Sequence, residues 1–352
     1  MKKLLSVLLA VLMIFSLAAC GNKSGDTATG DQETVKIGCT IYKFDDTFMT
    51  GYRNLMANYV DILNEEAGYT KYTLDIQDGK GDQAEQTNQI DTFITQGYDV
   101  LIINLVQSSG AATIIDKCAD ANIPCVFINR EPSAEDMSSK DGTDYAGKFC
   151  YVGADARESG KMQGEIIADL ADKGDLNGDG TLSYIMLVGD PENVDAQYRT
   201  EFSISQYIEK SGLAVDCLFQ QVGNWQTTEG HDLAANALAQ FGDKIEVIFA
   251  NNDDMGLGAL TALQEAGRTV GKDIYLVSVD ANDAPIENVI AGTLTGTVLN
   301  DGIGQAHTAV DCAIKAAAGE TLEKNYTVNY TKVTSANAEE IKAYKAKYPA
   351  TR

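Results

Sequence analysis

Planar polar side chains recur where apolar runs stop. Asn104 follows a Val-Leu-Ile-Ile run, and Asp195 and Arg199 follow Leu187-Val188-Gly189-Asp190-Pro191. Asn252 follows Ile248-Phe249-Ala250, Asp280 follows Val277-Ser278-Val279, and Asn300 follows Thr297-Val298-Leu299. Carboxylates, carboxamides and guanidinium groups each offer two donors or acceptors in one plane, which suits the clasping of neighbouring hydroxyls. Any one of them serves equally well as a helix cap. Asp46 and Phe48, after the alternating run Val35–Ile41, add a carboxylate beside an aromatic face. Such a face packs on the C–H side of a pyranose, although Asp46 is also placed to cap the helix that follows. Trp225, the only tryptophan, stands next to Asn224 and reads either as core or as a second stacking plate.

A second constellation is Asp175-Leu176-Asn177-Gly178-Asp179-Gly180-Thr181-Leu182-Ser183. It fits the front half of an EF-hand calcium loop, with oxygens at positions 1, 3 and 5 and glycine at 6. Thr181 would add a carbonyl and Ser183 a hydroxyl or a water contact. Met186 stands where the bidentate glutamate belongs, so a hard cation needs a carboxylate from elsewhere. The competing reading is a polar turn. In either case the loop braces structure and performs no catalysis.

These groups need a scaffold that aims them at one place. Alternation at Val35–Ile41 predicts a strand, as do Tyr72–Ile76 and the apolar runs within Asp99–Val106 and Pro124–Ile128, with helices at Gln83–Gln96 and Ala111–Ala121 between them. A second series has strands at Leu182–Val188, Ala214–Gln220, Ile245–Ala250 and Ile274–Val279. Its helices are Glu158–Ala171, Ala196–Lys210, Thr228–Gln240 and Met255–Ala266. Each series predicts a mostly parallel sheet flanked by helices, hence an α/β chain of two lobes with a cleft between them. The expected partition is 35–152 plus about 301–324 for the first lobe and 153–300 plus about 325–352 for the second.

A formal net charge of −24 over 352 residues argues against nucleic acid as a partner. Two histidines, His231 and His307, poorly supply a Ser–His–Asp or multi-His zinc site. Lys2-Lys3, the apolar run Leu4–Leu17, and Leu17-Ala18-Ala19-Cys20 resemble a bacterial lipoprotein signal. That resemblance implies cleavage before Cys20, lipid on its sulfur, and a membrane-anchored extracytoplasmic protein. Segment 20–34 reads as a flexible tether. The other six cysteines lie mostly in apolar runs and read as buried thiols rather than a disulfide framework.

Longer stretches are similar to the galactose/glucose-binding proteins of the periplasmic binding-protein superfamily. They include TIYKFDDTFM, INLV, VFINREPS, YVGADARESGKMQGEIIA, DLNGDG, DPENVDAQYR, IEVIFANNDDMGLGA, VSVDA and LTGTVLND. The resemblance implies that Asp46 accepts from the sugar's O4 in either epimer, and that Phe48 and Trp225 cover the two sugar faces. Asn104, Asp195, Arg199, Asn252, Asp280 and Asn300 would be the remaining hydrogen-bonding ligands. Glu246 would supply the missing calcium carboxylate beside Asp175, Asn177, Asp179, Thr181 and Ser183. Two residues depart from the pattern: Asn193 replaces a sugar-binding histidine, and Ser183 replaces a longer glutamine.

The function expected is that of a monomeric, lipid-anchored substrate-binding protein. It would carry a hexose such as galactose or glucose to an ABC permease and its ATPase. Presentation of sugar to a chemoreceptor or sensor kinase is the alternative. An enzyme fits less well. Gly256-Leu257-Gly258 lies too far from its strand and lacks the third glycine of a dinucleotide loop. Hydrolysis by a pair such as Asp46 and Asp280 remains open on sequence alone.

Overall fold

The computed structural model describes residues 33–350; the signal segment, Cys20 and most of the expected tether lie outside them. The chain runs β1 (Val35–Ile41), α1 (Thr47–Ala67), β2 (Tyr72–Asp78), α2 (Gln83–Thr95), β3 (Val100–Ile103), α3 (Ala111–Asp120), β4 (Cys125–Ile128), α4 (Ala134–Ser138) and β5 (Phe149–Gly153). It continues through α5 (Ala156–Ala168), β6 (Thr181–Val188), α6 (Val194–Ser211), β7 (Ala214–Val222), α7 (Thr227–Phe241), β8 (Val247–Ala250), α8 (Asp253–Glu265) and β9 (Tyr275–Val277). The last elements are α9 (Asp283–Ala291), β10 (Thr297–Leu299), α10 (Gly302–Ala317), β11 (Asn325–Thr327), β12 (Thr331–Val333) and α11 (Ala338–Lys345).

The first lobe is a parallel sheet of order β11-β5-β4-β3-β1-β2. The second is a parallel sheet of order β7-β6-β8-β9. Single parallel bridges carry it on to the antiparallel pair β10-β12. Both lobes reverse strand order beside their first strand, β1 in one and β6 in the other. That reversal opens a crevice at the carboxyl ends of the strands, where α/β sheets place ligands.

The central strands of each sheet are buried on both faces, and alternate residues feed different cores. In β3, Val100 and Ile102 pack beneath α1 and α10, whereas Leu101 and Ile103 pack against α2 and α3. In β6, Ile185 and Leu187 face one core and Leu182, Tyr184 and Met186 the other. Uninterrupted apolar runs are what strands covered on both faces require. Gly256 and Gly258 lie inside α8; a Cβ at Gly258 would fall 2.1 Å from the Thr227 carbonyl oxygen of α7. Gly258 thus lets two helices touch, and the glycines of this segment are not a phosphate loop.

The chain crosses between lobes after β5, after β10 and after β11. The last crossing falls slightly later than the expected 325, because β11 pairs with β5 at the first sheet's edge. Cys39, Cys118, Cys125, Cys150 and Cys312 are buried free thiols, and Cys217 is exposed on β7. Among the described residues, no helix is long and apolar enough to cross a membrane.

Candidate functional site

The strand ends of the two lobes enclose one cavity. Its walls include Asp46, Phe48, Asn193, Asp195, Arg199, Trp225, Asn252, Asp280 and Asn300. All the ligand-contacting residues expected from the sequence are therefore brought together except Asn104. Asn104 is fully buried and its amide is used internally. Its Oδ1 accepts from the Tyr42 N–H at 3.1 Å, and its Nδ2 donates to the Ile128 carbonyl and to Asn129 Oδ1. Asn104 thus braces the neighbouring strand end. The cavity wall is formed instead by Asn129 and Arg130, with Tyr42 and Met49, which the strand-end pattern did not single out.

The first lobe contributes a rigid corner. Asp46 is both cap and cavity residue: Oδ1 accepts from the Met49 N–H at 2.7 Å and Oδ2 from the Tyr42 hydroxyl at 2.6 Å. Phe48 sits one step into α1, edge-on to Tyr52. Arg130, 1% exposed, lies over the Tyr42 ring with its guanidinium carbon 3.9 Å from the centroid. One terminal nitrogen donates to the Val106 carbonyl. The other crosses to the second lobe and meets Asp190 Oδ2 at 2.9 Å. Its Nε finds no partner among the described residues.

The second lobe contributes charge. Asn193 caps α6 through the Asp195 N–H, and one turn on Arg199 lies 3.7 Å from both Asp195 and Asp280. Arg199 also donates to the Asn251 carbonyl and the Tyr330 hydroxyl, yet its Nε too lacks a partner among the described residues. Burial pushes the Asp280 carboxyl well above the usual carboxylate range; Arg199 opposes this, and Asp253 and Asp46 add to it. Burial also raises Asp195, against Arg199 and Arg130. These carboxylates are charged at a cost that donors on a ligand would relieve.

Backbone strain gathers here. Asn224, Trp225, Asp280 and Ala281 all have φ between 49° and 121°, a region that L-residues seldom occupy. The Trp225 ring packs over Gly189, where a Cβ would fall 2.0 Å from it. Asn252 caps α8 and donates to the Trp225 carbonyl, which fixes the plate. The cavity encloses only about 30 Å³, room for roughly a water or two.

The loop 175–183 forms a separate site. Asp175 accepts the N–H groups of Gly178, Asp179 and Gly180. Glu246, 2% exposed, accepts from the Asn177 and Ser183 N–H groups at 3.0 and 2.9 Å. Asp179 accepts from Thr181, and Asn177 from Asp179. The distant glutamate does reach the loop, and the donor set is all oxygen, as a hard cation requires. No group of three or more His, Cys, Asp or Glu side chains placed to hold a metal occurs among the described residues.

Two parallel α/β lobes with a polar, aromatic-walled cleft define a binding protein of the periplasmic class. The chain belongs to the periplasmic binding protein family: the family model described as "Periplasmic binding protein domain" matches residues 37–321. It is 35% identical to the D-galactose/methyl-galactoside binding periplasmic protein MglB of Haemophilus influenzae, over 89% of each chain. It is also 32% identical to an ABC transporter solute binding protein from Bacillus halodurans C-125, solved with bound myo-inositol. That match has a TM-score of 0.74 and covers 91% of this chain and 100% of the other. The ribose import binding protein RbsB of Bacillus subtilis is 26% identical over 85% of this chain and 88% of the relative.

Proposed function

We propose that this chain is the extracytoplasmic substrate-binding protein of an ABC importer, taking a hexose such as D-galactose or D-glucose between its lobes and releasing it unaltered. The observation that carries this reading is the convergence of Asp46, Asp195, Arg199, Asn252, Asp280 and Asn300 on one cavity walled by Phe48 and Trp225. Sugar hydroxyls would donate to the buried carboxylates and accept from the two unpartnered Nε–H groups. Analogues lacking those hydroxyls would leave buried groups unpaired. Closure is a population shift favoured by a ligand that touches both lobes, with the Arg130–Asp190 bridge formed in the closed state. The closed form would then dock on the permease and its ATPase.

A cyclitol is the second reading, favoured by the likeness to a solute binding protein holding myo-inositol. Its ring carries hydroxyls all round, as this cleft of planar groups accommodates. Titration calorimetry against galactose, glucose, methyl-galactoside, ribose, xylose and myo-inositol separates the two. Hexose binding that outranks pentose and inositol is expected; conversion of the sugar to product would overturn a binding role. Calcium at Asp175, Asn177, Asp179, Thr181, Ser183 and Glu246, and lipid on Cys20, complete the proposal. Support for the metal is the arrival of Glu246 at the loop, and mass spectrometry of the mature amino terminus tests the anchor.

A further inference from the structure

A larger crevice adjoins the sugar cavity. It holds about 620 Å³, within the range of small-molecule sites, and draws walls from both lobes: α1 and the start of α10 on one side, α8, α9 and α11 on the other. Its inner surface is largely apolar, with Leu55, Leu257, Pro285, Ile286, Ile303 and Ala350. On its second-lobe side Lys342 pairs with Glu287 at 2.6 Å and Lys345 with Asp283 at 2.9 Å, while Asp254 and Asp280 line the wall outside these two pairs. Phe48, Asp280 and Asn300 border both spaces. A substituent that leaves the sugar ring past Phe48 enters this crevice.

We propose that the crevice receives a neutral, apolar aglycone, so that the cleft accepts alkyl or aryl glycosides as well as free sugar. The inference rests on the hexose reading and extends it. The shared walls name the occupant: the crevice continues the sugar site, and its walls come from both lobes. An aglycone there touches both lobes at once and favours the closed form as the sugar does. Both lysines are paired while Asp254, Asp280 and Asp301 also line the crevice, so an anionic group is disfavoured and the largely apolar wall argues for an uncharged one.

Calorimetry with galactose and glucose, their methyl glycosides, and their 4-nitrophenyl and octyl glycosides of both anomeric forms tests this. At least one bulky glycoside should bind about tenfold more tightly than its methyl counterpart. Gly51→Leu should fill the crevice: a Cβ at this helical position meets only the Ala350 Cβ, at 3.9 Å. The variant should keep free-sugar affinity within about twofold and lose about tenfold for the bulky glycoside. Leu257→Glu, which places a charge on the same wall, should act in the same direction, and thermal melts check that both variants fold. Binding of free sugar with exclusion of every bulky glycoside would overturn the inference and leave the hexose reading intact. Bulky-glycoside affinity unmoved by both variants would overturn it too. Failure of free sugars and glycosides alike would count against the hexose reading itself.

Discussion

The cleft and the loop 175–183 are built from the same residue types, yet they treat their carboxylates in opposite ways. In the loop, Asp175, Asp179 and Glu246 are covered by backbone N–H groups supplied locally. In the cleft, Asp195 and Asp280 are buried with Arg199 at 3.7 Å as their shared counter-ion, and burial raises both carboxyls, Asp280 well above the usual range. A satisfied carboxylate organises the chain around it. An under-supplied one, held in a strained backbone at Asp280, is a stored demand for donors from outside.

Replacing one carboxylate in the cleft is the strongest way to break this contrast. Asp280→Asn keeps shape and removes charge. Hydrogen bonds to charged groups are worth about 1.5–3 kcal/mol each, so sugar affinity should fall about 100-fold. The ligand-free variant should melt no lower than the parent, because a costly buried charge has gone. Calorimetry and a melting curve on the same sample check both halves. A variant that loses affinity only because it unfolds would erase the distinction between the two regions.

The bridge between lobes ranks next. Arg130 touches the cavity, stacks on Tyr42 and pairs with Asp190, so Arg130→Met removes a hydroxyl donor and a closed-state contact together. Affinity should fall about tenfold or more. Asp190→Asn, which keeps a weaker acceptor, should cost less and act mainly through faster release. Stopped-flow dissociation rates resolve this; equal release rates in parent and Asp190→Asn would deny the bridge a part in closure.

Much of this was legible in the chain. Strand–helix alternation gave both lobes, because strands buried on both faces leave apolar runs that loops do not imitate. Strand-end polarity found most of the cavity wall. The strand-end rule could not separate Asn104 from Asn129. Each follows an apolar strand, and only the hydrogen bond between them decides that one braces and the other faces the cavity. The segment VFINREPS carried the missed signal, a guanidinium arriving at a strand end beside Asn129. β11 was hidden for another reason: Asn325–Thr327 has no apolar run, and its side chains stay largely outside the core.

In the loop, the expected effect falls on stability and spares affinity. If calcium fills the oxygen set, chelation should lower the melting temperature by a few degrees, at about 1–2 °C per kcal/mol for a chain of this length. Glu246→Gln should reproduce most of that loss and blunt the response to chelator. Differential scanning calorimetry with and without EDTA measures it, and calorimetric sugar affinity should change by less than about threefold. Equal melting in both conditions would leave the loop as a turn held by its own amides.

The smallest effect, and the sharpest for the comparison, is a pair of opposed pH trends. A carboxyl raised by burial destabilises the fold wherever it is ionised, so the ligand-free protein should gain stability as pH falls from neutral toward the ordinary carboxylate range near about 4. Asp253, pushed by burial to about 7 despite hydrogen bonds from Ser278 and Thr297, adds to the same trend. In the proposed complex sugar hydroxyls would donate to the ionised forms of Asp195 and Asp280, so affinity should weaken over the same interval as protons compete with ligand. Asp169 and Asp273 are lowered rather than raised, so their stabilising contributions are lost only below that interval and do not mask the trend. Asp280→Asn should flatten both trends, whereas Glu246→Gln should leave both in place. Affinity and stability falling together with pH would mean that Asp195 and Asp280 are not under-supplied, and the contrast with the loop would collapse.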